Sequence, residues 1–130
     1  MTNGQLVTAS AAVAELRAVF EGARDPARAG AMAAYMRDQF PFLGIPSPAR
    51  RALQRAFVAS FRKAEPAVVL AAAKALWELP EREYQYAACD LLGRHARRLG
   101  AEAIFELEKL VLAKAWWDTV DALAAHIVGP

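Results

Sequence analysis

One cysteine, Cys89, stands in a chain of 130 residues, which excludes an intramolecular disulfide and makes the reducing cytoplasm the simplest expected location. No uninterrupted apolar run approaches the roughly 18 residues that a membrane span needs, although hydrophobic residues make up 56% of the chain. No membrane partner is therefore expected. The opening stretch MTNGQLVTASAAVAELRAVF has no basic region ahead of an apolar segment, so no signal peptide is expected there either. Charge of one sign is not in excess: the formal net charge is +2, too mild by itself to require a nucleic-acid partner. His95 and His126 lack metal-ligand spacing with any carboxylate pair, and no glycine-rich phosphate loop occurs. Neither a metal nor a cofactor is expected.

What the chain has is alanine, 31 residues of it, while glycine and proline number 7 each and fall mostly between periodic apolar runs. That distribution predicts an all-α fold, and the length suits one domain over residues 1–130. Periodicity and stop signals divide it into about seven helices. Thr8 or Ser10 caps the first, which runs to about Gly22. Asp25 and Pro26 open a second to about Gln39, and Ser47 and Pro48 cap and open a third to about Lys63. Between them FPFLGIPSP, with three prolines and a glycine, reads as a structured loop. Glu65 and Pro66 open a fourth helix that Pro80 ends; the fifth spans about Glu81 to Leu99, the sixth Ala101 to Lys114 and the seventh Trp116 to Val128.

The last four predicted helices form two similar pairs. A shift of 36 residues sets Val68 against Ile104, Leu76 against Leu112, Tyr84 against Val120 and Leu91 against Ile127. This period predicts stacked hairpins of HEAT-like type, which build a solenoid with a concave binding surface.

Charge is distributed unevenly. Arginine outnumbers lysine 12 to 4 and clusters at Arg50, Arg51, Arg55 and Arg62, and again at Arg94, Arg97 and Arg98. The planar guanidinium suits phosphate, although an alanine- and arginine-rich composition also follows from base composition. Glu81 and Glu83 are expected to favour the start of the fifth helix through its dipole, and Cys89 to be a small buried hydrophobe. In the seventh helix Trp116, Val120, Leu123 and Ile127 share a core-facing stripe. Trp117 and Asp121, four apart, lie together on the adjacent face at the core's edge. Either Trp117 covers the neighbouring hairpin while Asp121 binds a nearby arginine or caps a helix, or the carboxylate beside the indole is used in chemistry.

Three segments, AAYMRDQFPFLGIPSPARRAL, LWELPEREYQYAACDLL and WWDTVDALA, resemble in order and spacing the AlkD-type family of bacterial DNA alkylation repair glycosylases. The resemblance implies a HEAT-like repeat fold and cofactor-free, metal-free excision of cationic N3- and N7-alkylated purines from double-stranded DNA. It makes Asp121 the catalytic carboxylate and Trp117 its aromatic neighbour, and it sets Tyr35 against the DNA near the lesion. Arg50 and Arg51 occupy the family's paired-arginine position after the loop; with Ser47 they are expected to meet the DNA backbone.

The chain also departs from the family, whose members continue through further repeats that carry a DNA-gripping arginine and another tryptophan. Leu112, Leu123 and Ile127 are on that ground expected to leave apolar surface uncovered and to favour self-association. Two functions follow from the sequence: a glycosylase of this type, or a noncatalytic HEAT-like module that binds DNA or protein through the same face.

Overall fold

A computed structural model describes residues 8–100 together with Phe105 and Lys109. Five α-helices occur among the described residues: α1 (Ala9–Gly22), α2 (Pro26–Tyr35), α3 (Ser47–Ser60), α4 (Pro66–Glu78) and α5 (Arg82–Arg94), followed by a 3-10 turn at Ala96–Arg98. The all-α class expected from composition is observed. Of the predicted sixth helix only Phe105 and Lys109 are described, both helical; the predicted seventh helix lies outside the described residues, as do Trp117, Asp121, His126 and most of the second half of the 36-residue repeat.

The boundaries follow local chemistry. Thr8 caps α1, its hydroxyl accepting the Ala11 N–H, and the Asp25 carboxylate accepts the Arg28 N–H ahead of Pro26. Three expectations need correction. Helix α2 stops at Tyr35 rather than near Gln39, because Arg37 and Asp38 both take φ of 56°, a left-handed conformation that cannot continue a helix. Ser47 is not a cap: it is the first residue of α3, Pro46 holds the cap position, and no side-chain cap bond forms. Helix α5 ends at Arg94, and the Arg-rich segment after it tightens into the 3-10 turn.

Helices α4 and α5, joined by a three-residue connection, pack as a hairpin; α1 lies against α4 and α3, and α3 against α5. The apolar stripes of α1, α3, α4 and α5 meet in one core. Leu16 and Phe20 of α1, Phe57 of α3, Leu76 and Trp77 of α4, and Tyr84, Leu91 and Leu92 of α5 are buried there. Phe20 stacks on Tyr84 with ring centroids 5.4 Å apart, and Phe57 meets Phe61 at 5.0 Å. Burial pushes the Tyr84 phenol's pKa well up from its ordinary value, with Glu21 and Glu81 adding to the shift. Cys89 is buried, as expected of a small hydrophobe. Helix α2 buries no side chain completely, so it rides on the outside and presents its surface.

Candidate nucleic-acid interface

The site begins with the loop between α2 and α3. It runs without regular structure from about residue 40 to 46, yet Phe42, Leu43, Gly44 and Ile45 are all buried. A buried loop must find partners for its backbone groups. Glu83, itself 0% exposed, supplies them: its Oε1 accepts the Leu43 N–H at 2.8 Å, and its Oε2 accepts the N–H groups of Gly44 and Ile45 at 2.9 and 3.1 Å. The preceding residue clamps the other end, because the Arg82 guanidinium lies 3.7 Å from the Phe40 ring centroid and the Arg82 N–H reaches Pro41 O at 2.9 Å. Leu43 O accepts the Asp25 N–H, which ties the loop to the start of α2. Gly44 is required at this crossing: its φ is +98° and an added Cβ would fall on Asp25 O. Glu83 thus does more than favour its helix's N-terminus. Glu81, half-buried, lies 3.6 Å from Arg24.

This fixed loop places Tyr35 and the first turn of α3 beside α5. Tyr35, the last residue of α2, is 76% exposed. It borders a groove whose walls are Met32, Met36, Phe42 and Tyr86, with Ser47 and Arg50 at its far side. Ser47 is exposed. Arg50 is not: at 5% exposure its Nη1 donates to Gln54 Oε1 and to Asp90 Oδ2, both at 2.8 Å, and its guanidinium lies 5.4 Å from the Tyr86 ring centroid. Gln54 donates to the same Asp90 oxygen at 2.6 Å. The adjacent arginines therefore divide, since neighbouring helix positions point about 100° apart: Arg50 is held inside by Asp90, whereas Arg51 faces solvent.

Beyond the Arg50, Gln54 and Asp90 bridge the cleft between α3 and α5 continues. Its sides carry Arg51 and Arg55, one turn apart on α3, and Arg94 on α5, all exposed. None of the three has an ion-pair or hydrogen-bond partner among the described residues, in contrast to Arg24, Arg28 and Arg50, whose charges meet carboxylates. At the end of α5, His95 is buried with Nδ1 2.7 Å from Arg98 Nη2. Burial lowers its pKa, and the neighbouring charges of Arg98 and Arg94 lower it further.

The resemblance marked Tyr35 and the charge pattern marked Arg51, Arg55 and Arg94, but sequence reasoning overlooked Asp90 between them and the buried Glu83 that holds the loop beside them. Spacing holds the signal: Tyr86, Asp90 and Arg94 recur at four-residue intervals on α5, as Ser47, Arg51 and Arg55 do on α3. Among the described residues no group of three His, Cys, Asp or Glu side chains is placed to hold a metal, and no helix is long and apolar enough to cross a membrane.

A helical-repeat protein with an arginine-lined cleft beside an exposed aromatic defines the class. The model of the family described as DNA alkylation repair enzyme matches residues 16–130, and the chain belongs to that family. A solved structure described as "Predicted DNA alkylation repair enzyme from Enterococcus faecalis" is 36% identical, with a TM-score of 0.76 over 79% of this chain. The match takes in 48% of that structure's chain, so the present chain spans about half its length. No curated protein matches the chain significantly.

Proposed function

We propose that the chain acts in the repair of alkylated DNA by hydrolysing the N-glycosidic bond of cationic N3- and N7-alkylated purines in duplex DNA. The observation that supports this best is that the family match runs through residues 16–130, covering both the Tyr35 loop and the WWDTVDALA segment. Alkylation leaves such a purine positively charged, so it departs with the glycosidic electron pair as a neutral base and needs no general acid. Water adds to the sugar's C1′ and loses a proton. The carboxylate of Asp121 is assigned the stabilisation of the oxocarbenium-like sugar, as in other glycosidic hydrolyses. Trp117 and Tyr35 are assigned the faces that meet the cation, each contributing about 0.5–2 kcal/mol. Ser47 and Arg51 are assigned to the DNA backbone; Arg50, with its charge spent on Asp90, supports them from inside.

The test is release of 7-methylguanine and 3-methyladenine from methylated duplex DNA. Asp121→Asn keeps shape and removes charge, so release is expected to fall far more than DNA binding, and neutral uracil to remain untouched. A variant that released methylated purines as fast as an active parent would remove Asp121 from the chemistry. The second reading, a noncatalytic module that binds DNA, is favoured by one observation: Arg51, Arg55 and Arg94 border one cleft between α3 and α5. Binding without purine release would select it.

A further inference from the structure

One bridge sorts the charges of the cleft between α3 and α5. Gln54 and Arg50 both donate to Asp90 Oδ2, at 2.6 and 2.8 Å, which fixes the register of the two helices and spends the charge of Arg50. Arg55 follows Gln54 on α3 and Arg94 lies one turn past Asp90 on α5, so both line the cleft beyond the bridge. The surface between them is uncharged, made by Val58, Ala59 and Gly93. Both arginines are exposed, and neither meets a carboxylate among the described residues. A cation in the last turn of α5 suits the helix dipole, which accounts for Arg94 alone; Arg51 and Arg55 stand before the last turn of α3, which holds no basic residue. Like charges gathered around one cleft repel each other, so the fold by itself gives no reason to collect three.

We infer that Arg55 and Arg94 grip one backbone phosphate of duplex DNA between them, with Arg51 on the neighbouring phosphate of the same strand. The inference rests on the proposed function for its partner and adds two positioning residues to it. No base has to leave the stack, because a guanidinium fork meets phosphate oxygens on the outside of a closed duplex. The cleft encloses about 540 Å3, within the roughly 300–1,000 Å3 of sites that take a molecular segment rather than a single ion. Arg51 lies about 6 Å back along α3 from Arg55, on the side of the Tyr35 groove, so the phosphate path leads to the end where the lesion is assigned. Because α5 pairs with α4 in the hairpin and α3 stands outside it, a phosphate held from both walls also steadies α3 against that hairpin.

Fluorescence anisotropy of the whole chain with an undamaged, labelled duplex over a range of salt concentrations tests this. Arg55→Gln and Arg94→Gln are each expected to weaken binding about tenfold, and the pair by clearly less than the product of the two, since both act on one phosphate. The pair is expected to reduce the salt slope by about 0.9, the value of a single phosphate, and Arg51→Gln to take off a further 0.9 or so. Arg55→Lys with Arg94→Lys keeps the charge and should keep the slope. Arg17→Gln with Arg24→Gln removes the same formal charge beside Glu21, on the side of α1, and should leave the slope unchanged. In purine release the Arg55, Arg94 glutamine pair should raise KM and leave kcat nearly unchanged. Its urea midpoint should equal or exceed that of the parent, because no ion pair is lost in the free chain. A lowered midpoint would mark the two arginines as structural and overturn the inference. An unchanged slope, a slope cut by about 1.8 as for two separate phosphates, or an equal loss from the Arg17, Arg24 pair would overturn it too. Purine release with KM unchanged in the Arg55, Arg94 pair would sink it and leave the repair reading standing. The expected slopes in a chain that releases no purine would do the reverse.

Discussion

Replacing Glu83 by glutamine probes how the loop that carries the candidate surface is held. The carboxylate accepts three backbone N–H groups, and no water reaches it. A hydrogen bond to a charged group contributes about 1.5–3 kcal/mol, and a stranded buried donor costs about 1–3 kcal/mol. Glutamine can turn its oxygen to Gly44 and Ile45 and keep two of the bonds. Its NH2 then faces the Leu43 N–H, donor against donor. One bond lost and one donor stranded gives a destabilisation of about 2.5–6 kcal/mol, a large share of the roughly 5–15 kcal/mol of a typical domain. Urea titration followed by circular dichroism measures it, with the slope expected to stay unchanged. Glu81→Gln, at a half-buried position 3.6 Å from Arg24, is the control and should cost less than about 1 kcal/mol. A Glu83→Gln variant within about 0.5 kcal/mol of the parent would refute the reasoning, because surface substitutions of no consequence fall in that range. The loop would then be held by its apolar side chains alone.

Gly44→Ala should destabilise by roughly 3 kcal/mol or more, since it combines a left-handed φ with a methyl group placed on Asp25 O, and the same titration reads it. His95 adds a pH dependence: its pKa is lowered in the fold, so its contribution is complete above the unfolded value near 6.5 and is lost as pH falls toward the folded value. His95→Gln should flatten stability against pH in that window, and an unchanged profile would count against it. The adjacent arginines should separate by assay. Arg50→Ala leaves the buried Gln54 Oε1 without its donor and removes the buried guanidinium, and should lower stability by about 1–3 kcal/mol, whereas Arg51→Ala should leave stability within about 0.5 kcal/mol and weaken DNA binding.

The helices were legible because their signals are local. An apolar stripe every three or four residues, aspartate before proline at residues 25 and 26, and the proline at 80 each act within a turn or two, and α1, α2 and α4 start where these signals say. What the sequence hid is set by contacts between distant residues. Two successive left-handed residues end α2, and no side-chain pattern in YMRDQF announces them. Pro46 rather than Ser47 takes the cap because the loop's path into α3 is fixed by Glu83, 36 residues or more further along the chain. A sequence rule for helix starts saw two glutamates near an N-terminus and read a dipole. The fold uses one of them as a buried clamp.

The candidate surface divides along the same line. Periodicity places Arg51 and Arg55 on one side of α3 and Tyr86, Asp90 and Arg94 on one side of α5, but it cannot say that these two sides face each other. Packing of α3 against α5 supplies that, and with it the sorting of charge: Asp90 neutralises the arginine that points inward and leaves those that point outward unspent. Tyr35 carries no periodic signal at all, because an exposed aromatic at a helix end serves no core; only the resemblance marked it. The roles assigned to Trp117 and Asp121 rest on the WWDTVDALA segment and the family match, whereas the groove and the arginine track rest on geometry. Binding and bond cleavage therefore stand on independent footing in this chain, and substitutions in α3 and α5 test the first without presupposing the second.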